Sequence, residues 1–403
     1  SHFRSVEVHS SLKGEASMDQ TFGRHRQRGS VEDVAKDADA FAEVLAASAE
    51  DDPEHRYQGM PSDGESRDVF ARLGAGGWIG LHWPARFGGQ ELTPFHSNAV
   101  EERLGYHWLP LSSYLLSLKT IGNALLTYAS PALQEQFLPE IVAGRLIFCQ
   151  GFSEPQAGSD LAALRTHARL TDDRLIVTGH KIWTSCAQMA DWIYLAVRTD
   201  PDLSLRHRGI SVVVADMRTP GISVRTFPTL GGGNLCEVFI EEAEIPRSQI
   251  VGELDAGWKV LMGTLDHERI TSEKVGVLLR LIDDLEPFAR TTAEQLSLSR
   301  LRGQALAARL HGKHATQLIV DGVSASAESS MAKLSVAMLA QRVVEIGIPM
   351  LGLAGYIERG EGAIFAGRLA ALSRAVVGVT IAGGTAEIQR RVIARRGLGF
   401  PAA

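Results

Sequence analysis

Gln150-Gly-Phe-Ser-Glu-Pro-Gln-Ala-Gly-Ser-Asp160, answered a short way on by Gly179-His-Lys-Ile-Trp-Thr-Ser185, decides how the chain is read. The first stretch is a turn-forming loop entered from an apolar run. The second opens a strand in which a Trp stands between hydroxyl residues, so together they could wall a flat ring. They also mark a change of texture. Before them the pattern is helical: Val31 to Ala47, Val69 to Leu73, Leu92 to Leu104, Ser112 to Tyr128 and Pro131 to Ile141 carry apolar residues at three-to-four spacing, punctuated by Pro and Gly. After Phe148 come short β-branched or aromatic segments: Arg174 to Thr178, Ile182 to Thr184, Trp192 to Val197, Gly209 to Asp216, Ile222 to Phe227 and Glu237 to Ile240. Turn formers such as Thr171-Asp-Asp and Thr219-Pro-Gly separate them.

From Gly257 the chain returns to long Ala- and Leu-rich periodic segments, Val260 to Ile282, Ala293 to Val320, Ala325 to Ile348 and Ala363 to Ala394, of the kind that pack as a bundle. The expected fold is α+β: an N-terminal helical domain over 18–147, a central antiparallel β-domain over 148–255 and a C-terminal four-helix-type bundle over 256–403. Residues 1–17 are polar and unpatterned and are expected to be a leader or an added extension rather than fold.

Composition narrows the partners. The 403 residues are 45% hydrophobic and 22% charged, with a formal net charge of -6 and no block of Lys and Arg, which points away from nucleic acid and anionic membrane surfaces and toward a small molecule. The three cysteines, Cys149, Cys186 and Cys236, lack metal-ligand or disulfide-framework spacing, so no metal site is expected, and buried thiols in a reducing cytoplasmic setting are. No apolar run is read as approaching the ~18 residues of a membrane helix.

Two motif-like stretches lead nowhere. Gly74-Ala-Gly-Gly-Trp-Ile-Gly80 lacks dinucleotide-loop spacing and follows a helical pattern, so it reads as a helix end and tight turn, and Gly80 to Gly89 after it reads as a packed connector. Ser330-Met-Ala-Lys333 lies mid-helix without the companion elements of an acylating serine site.

The order helix, sheet, helix, with Phe152-Ser-Glu-Pro-Gln-Ala-Gly-Ser-Asp160 at the first junction, Gly179 to Ser185 in the β-domain and Gly383-Gly-Thr-Ala-Glu-Ile-Gln-Arg390 near the end, resembles the acyl-CoA dehydrogenase family from about Gly80 to Leu398. The resemblance implies FAD as cofactor and an acyl thioester, on CoA or a carrier protein, oxidised to its trans-2-enoyl form. It implies Phe152 and Ser153 along the flavin edge, Trp183 near the ring, Ser185 near flavin N5, Thr385 and Glu387 as further cofactor contacts, and Ser159 and Arg269 on the substrate side. An electron-transfer flavoprotein-type acceptor would carry the electrons away.

Such chemistry needs a base for the α-proton, an acceptor for the β-hydride and donors on the thioester oxygen. The family places its base at one of two positions. Here the usual one, directly before Gly-Thr, is Gly383, which could serve only through its backbone. The alternative, used by isovaleryl-CoA and long-chain members, is Glu268 in Leu265-Asp-His-Glu-Arg269. A carboxylate in an apolar pocket should have its pKa raised.

The chain departs from the homotetrameric members at the adenine end of the cofactor. It has no Arg-x-x-Phe-Gly after Pro287-Phe-Ala-Arg-Thr-Thr-Ala-Glu294, and Pro349 and Leu353 stand where the resemblance expects Gln and Gly. A homotetramer holding the pyrophosphate with residues such as Arg290 or Arg302, and a heterotetramer with a related chain, both remain open. So do a non-catalytic partner subunit and a flavin oxidase or monooxygenase on the same fold.

Overall fold

The computed structural model describes residues 29–47, 63–231 and 233–401; residues 1–17 lie outside that set. The N-terminal helices are α1 (Val31–Ala47), α2 (Asp63–Ala75), α3 (Pro94–Tyr106), α4 (112–128, with a π-helical middle at Leu115–Gly122) and α5 (Pro131–Val142). In α1, Val34, Ala38, Ala42 and Leu45 are buried, the one-sided stripe that a 3.6-residue period gives a helix packed on a core. α2 ends in the turn read from the glycines, with Gly77 at φ +67 and the Trp78 N–H on the Leu73 carbonyl. The connector after it is packed as expected, with Trp83 fully buried.

The sheet runs β1 (Phe148–Gly151), β2 (His167–Leu170), β3 (Arg174–Thr184), β4 (Trp192–Arg198), β5 (Ile210–Asp216), β6 (Ile222–Pro228), β7 (Asn234–Pro246) and β8 (Ile250–Val251), in the spatial order β6-β7-β3-β2-β4-β5-β8. Pairing is antiparallel except that β1 lies parallel to β4 and β2 touches β4 in parallel. Alternation along β4 explains how one strand serves two cores. Tyr194 and Ala196 pack with the N-terminal helices, and Ile193, Leu195 and Val197 pack against the rest of the sheet. Polar interruptions hid several strands from the sequence reading. β1 and β2 were not expected, β3 runs unbroken through Gly179-His-Lys, and Glu237 to Ile240 is only the middle of the 13-residue β7.

The C-terminal elements are α6 (Gly257–Glu268), α7 (Ser272–Leu285), α8 (Thr292–Val320), α9 (Ser326–Leu351), α10 (Arg368–Val379) and α11 (Ala386–Val392). Two expected long helices are each broken. The first stops after Glu268, where Ile270 turns into a small core with Ala315 and Ala325 instead of continuing the helix. The second is interrupted between α10 and α11, where Gly383 (φ +65) and Gly384 (φ +91) adopt backbone that other residues resist. α3 and α7 meet closely because Gly105 and Gly276 face each other's backbone: a Cβ on either would fall 2.0 Å from the Glu273 or Glu102 carbonyl oxygen. Between them Lys119 is buried with Glu101 at 2.5 Å and Glu273 at 3.3 Å. Among the described residues one helix, Ser326–Tyr356, is long and apolar enough to cross a membrane, which the sequence reading did not register. It includes α9, whose Val336, Leu339, Ala340 and Val343 are core of the bundle.

Candidate active site

The loop after β1 is fixed from beneath by a buried ion pair. The Lys181 ammonium donates to the Phe152 carbonyl at 3.1 Å and to Glu154 at 2.8 Å, and Glu154 also accepts from the Arg165 and Thr166 N–H groups. Burial would raise the Glu154 carboxyl, but Lys181 and these donors take it down to about 2. Burial in turn pulls Lys181 down to about 8 against the attraction of Glu154. The Ile182 N–H holds the Ser153 carbonyl at 3.0 Å, and the Phe152 ring lies 5.9 Å from Tyr194, whose hydroxyl reaches Thr264 of α6 at 3.2 Å. Loop, sheet and α6 therefore form one wall.

Strand β3 carries an extra residue opposite β7 between Lys181 and Thr184. Such a bulge re-aims the side chain it displaces. Trp183 sits there at φ +62, 57% exposed, its edge supported by Phe227 at 5.4 Å. Ser185, two residues on, and Ser153, whose carbonyl meets the Ile182 N–H, are half-buried, and among the described residues the buried Thr184 hydroxyl has no hydrogen-bond partner. Ser159 is exposed, and its neighbour Asp160 holds Arg206 at 2.6 Å.

Glu268 closes α6. One carboxylate oxygen accepts from the Gln150 amide of β1 at 3.4 Å, and the other lies 3.0 Å from where a Cβ on Gly383 would stand. Position 383 is thus bare on the side that the Glu268 carboxylate occupies. Burial pushes the Glu268 carboxyl up, opposed by the Gln150 amide and by the charges of Arg269, Lys274 and Lys333. The C-terminal end of a helix, with its partial negative charge, also resists ionisation there. Arg269, assigned to the substrate from sequence, is 6% exposed and bonded to Asp266 at 3.3 Å.

The turn opposite Glu268 is held through its carbonyls. Gln389, fully buried, donates to the Gly383 and Gly384 carbonyls at 2.9 and 3.1 Å, and Lys333 donates to the Gly384 carbonyl at 2.8 Å. The Thr385 hydroxyl caps α11 through the Ile388 N–H, and Glu387 is exposed. Among the described residues the Gly383, Gly384 and Thr385 N–H groups have no backbone partner. Gln150 and Gln389 lie inside the quoted motifs and Lys333 in the Ser-x-x-Lys stretch, but none of the three was given a role from sequence. The signals for those roles were weak: an amide within an apolar strand, and a cation within the buried stripe Ser329, Ser330, Lys333, Val336, Ala337 of α9.

Domain models for the N-terminal, middle and C-terminal domains of acyl-CoA dehydrogenases match residues 32–145, 149–243 and 255–398. The chain belongs to the acyl-CoA dehydrogenase family. It is 31% identical over 355 residues to the acyl-CoA dehydrogenase FadE26 of Mycobacterium tuberculosis, covering 84% of this chain and 88% of that protein. Among solved structures it is similar to the Tcur3481-Tcur3483 steroid ACAD (TM-score 0.85, 28% identity, 94% of this chain and 100% of that chain). It is similar also to the ChsE4-ChsE5 complex from Mycobacterium tuberculosis (TM-score 0.80, 29% identity, 94% and 100%).

Acyl-CoA dehydrogenases are FAD-dependent oxidoreductases, and FAD fits the residues present. A large indole held outward by a strained bulge leaves an aromatic surface that a flat ring would cover. The Thr184 hydroxyl, without a partner among the described residues, and the half-buried Ser153 and Ser185 are polar groups available to such a ring. Among the described residues no His, Cys, Asp and Glu cluster could hold a metal ion, and Cys149, Cys186 and Cys236 are buried and form no disulfide.

Proposed function

We propose that this enzyme converts an acyl-CoA to the trans-2-enoyl-CoA with Glu268 as the base. The observation that carries the reading is the Glu268 carboxylate lying 3.0 Å from the missing Cβ of Gly383, across a turn whose N–H groups have no backbone partner among the described residues. The thioester oxygen would accept from N–H groups of the Gly383–Thr385 turn, drawing charge off Cα. Glu268, ionised, takes the Cα proton and becomes the neutral acid, the form that its surroundings favour. The electrons of that C–H bond form the Cα=Cβ double bond as the Cβ hydrogen departs with its pair. When bound, FAD supplies the acceptor for that hydride.

Phe152, Ser153, Trp183 and Ser185 would hold the ring, with Thr385 and Glu387 as further cofactor contacts and Ser159 on the substrate side. Arg269, committed to Asp266, acts on Glu268 through its charge. An electron-transfer flavoprotein-type protein is the acceptor we favour for the reduced enzyme. We also place the enzyme in the cytoplasm, a reading supported by its buried cysteine thiols, none of them in a disulfide among the described residues.

Two features support assembly with a different, related chain rather than a homomer. Arg302, a candidate for the pyrophosphate, is engaged by Asp283 at 2.7 Å and Glu286 at 3.3 Å. Leu353, where the resemblance expects Gly, is 86% exposed on the turn that follows α9. Two similar solved structures, one of them named a steroid ACAD, carry two-protein names, which favours a bulky acyl group here as well.

The test is anaerobic mixing with acyl-CoA. Glu268→Gln should keep FAD bound yet lose substrate-dependent bleaching of the flavin. Bleaching at the wild-type rate would end the base assignment.

A further inference from the structure

Lys333 stands out among the buried groups that the proposed reaction does not use. It is 6% exposed on the apolar face of α9, and among the described residues its ammonium forms no ion pair within 4.0 Å. Burying a lysine that no carboxylate contacts is costly, so such a residue is retained where its charge or its donors do something. Its bond runs to the Gly384 carbonyl at 2.8 Å, beside the two bonds from Gln389 to the same turn. Ser330, one turn earlier on α9, donates to the Ser326 carbonyl of its own helix, so the Ser-x-x-Lys pattern has no nucleophile and only its lysine reaches the site.

We infer that Lys333 is a positioning residue of the dehydrogenation site, clamping the Gly383–Thr385 turn so that its N–H groups face the thioester, and setting the potential at Glu268. The inference rests on Glu268 being the base. With the Gly383 and Gly384 carbonyls both drawn toward Gln389 and Lys333, the peptide planes cannot rotate to turn their N–H groups inward. Glycines at φ +65 and +91 have a soft backbone that needs such external fixing. Arg269 at the end of α6, Lys274 of α7 and Lys333 of α9 act on Glu268; Lys274, Arg269, Glu268 and Glu387 of α11 act on Lys333. Lys333 is the member of this set that also holds the turn. Burial takes its ammonium down to about 8, so it is charged at neutral pH and loses that charge in mildly alkaline solution.

The experiment compares FAD-loaded wild type with Lys333→Gln, Lys333→Met and Lys333→Arg, following anaerobic flavin reduction by acyl-CoA across pH. Lys333→Met should reduce the limiting rate about tenfold or more with little change in KM. Its pH midpoint for the base should rise by about half a unit or more, because a cation is lost. Lys333→Gln, which keeps a donor, should retain more of the rate than the Met variant but show the same rise, and it carries the test should Met not fold. Lys333→Arg should restore the midpoint. FAD content and melting temperature separate this from a merely structural role, which would lower both and leave the midpoint in place. A midpoint and limiting rate unchanged in the Gln and Met variants would overturn the inference. Glu268→Gln, run alongside, distinguishes the failures: if it too reduces flavin normally, the base assignment has failed rather than the role of Lys333.

Discussion

Glu268 ends its helix with one oxygen under the Gln150 amide and the other against a residue that has no side chain. Because its surroundings push the carboxyl above the ordinary range and the base acts only when ionised, the rate of flavin reduction should climb with pH through that raised value. The midpoint should lie above the ~4.3 of a free Glu. A profile already flat from pH 5 upward would contradict this. Gly383→Glu alone should crowd two carboxylates into one space and lower activity, while Glu268→Gly with Gly383→Glu should recover part of it. That recovery would be limited by the cost of a non-glycine residue at φ +65, about 1–3 kcal/mol. Steady-state rates of Gly383→Glu, Glu268→Gly and the double variant decide it; a double variant no better than either single would speak against the two positions sharing a target. The pairing of Glu268 with Gly383 was readable in sequence because both lie in motifs. Gln150 and Lys333 also stand in quoted stretches, but their roles were not readable, since an amide on a strand and a lysine on a helix acquire them only when β1, α6 and α9 converge.

The element that decides the cofactor wall is β3, with its bulge at Trp183 and its anchor at Lys181. Replacing Lys181 by Met would leave Glu154 buried and unpaired, a change that costs about 3–5 kcal/mol in comparable settings. Lys181→Met should therefore unfold at lower denaturant concentration and lose FAD on gel filtration; retained stability and full FAD occupancy would show that the loop is held otherwise. Sequence periodicity located most helices within a few residues, because one-sided apolar stripes such as that of α1 survive in any context. It ran through the breaks after Glu268 and at Gly383, where the path follows tertiary packing of Ile270 and a two-glycine turn. It also lost β1, β2 and most of β7, whose polar residues sit on faces that only the assembled sheet defines.

At the scale of the whole molecule, the succession of helical, β and helical layers was legible from texture alone, and the flavin motifs sat where those layers meet. The adenine end of the cofactor was legible only as a departure; Leu353 and Tyr356 lie 86% and 68% exposed beside α9, and the heteromeric reading proposed above would have another chain cover them. Native mass measurement of the chain alone and with related chains, counting FAD per chain, should give full occupancy only in a mixed assembly. A homomer with one FAD per chain would rule out the heteromeric reading. The central claim, that Glu268 removes the α-proton, is tested most directly by exchange of the α-hydrogens of bound acyl-CoA in D2O, followed by mass spectrometry. The wild type should incorporate deuterium at Cα while FAD-loaded Glu268→Gln does not; deuterium uptake by that variant at the wild-type rate would contradict the account.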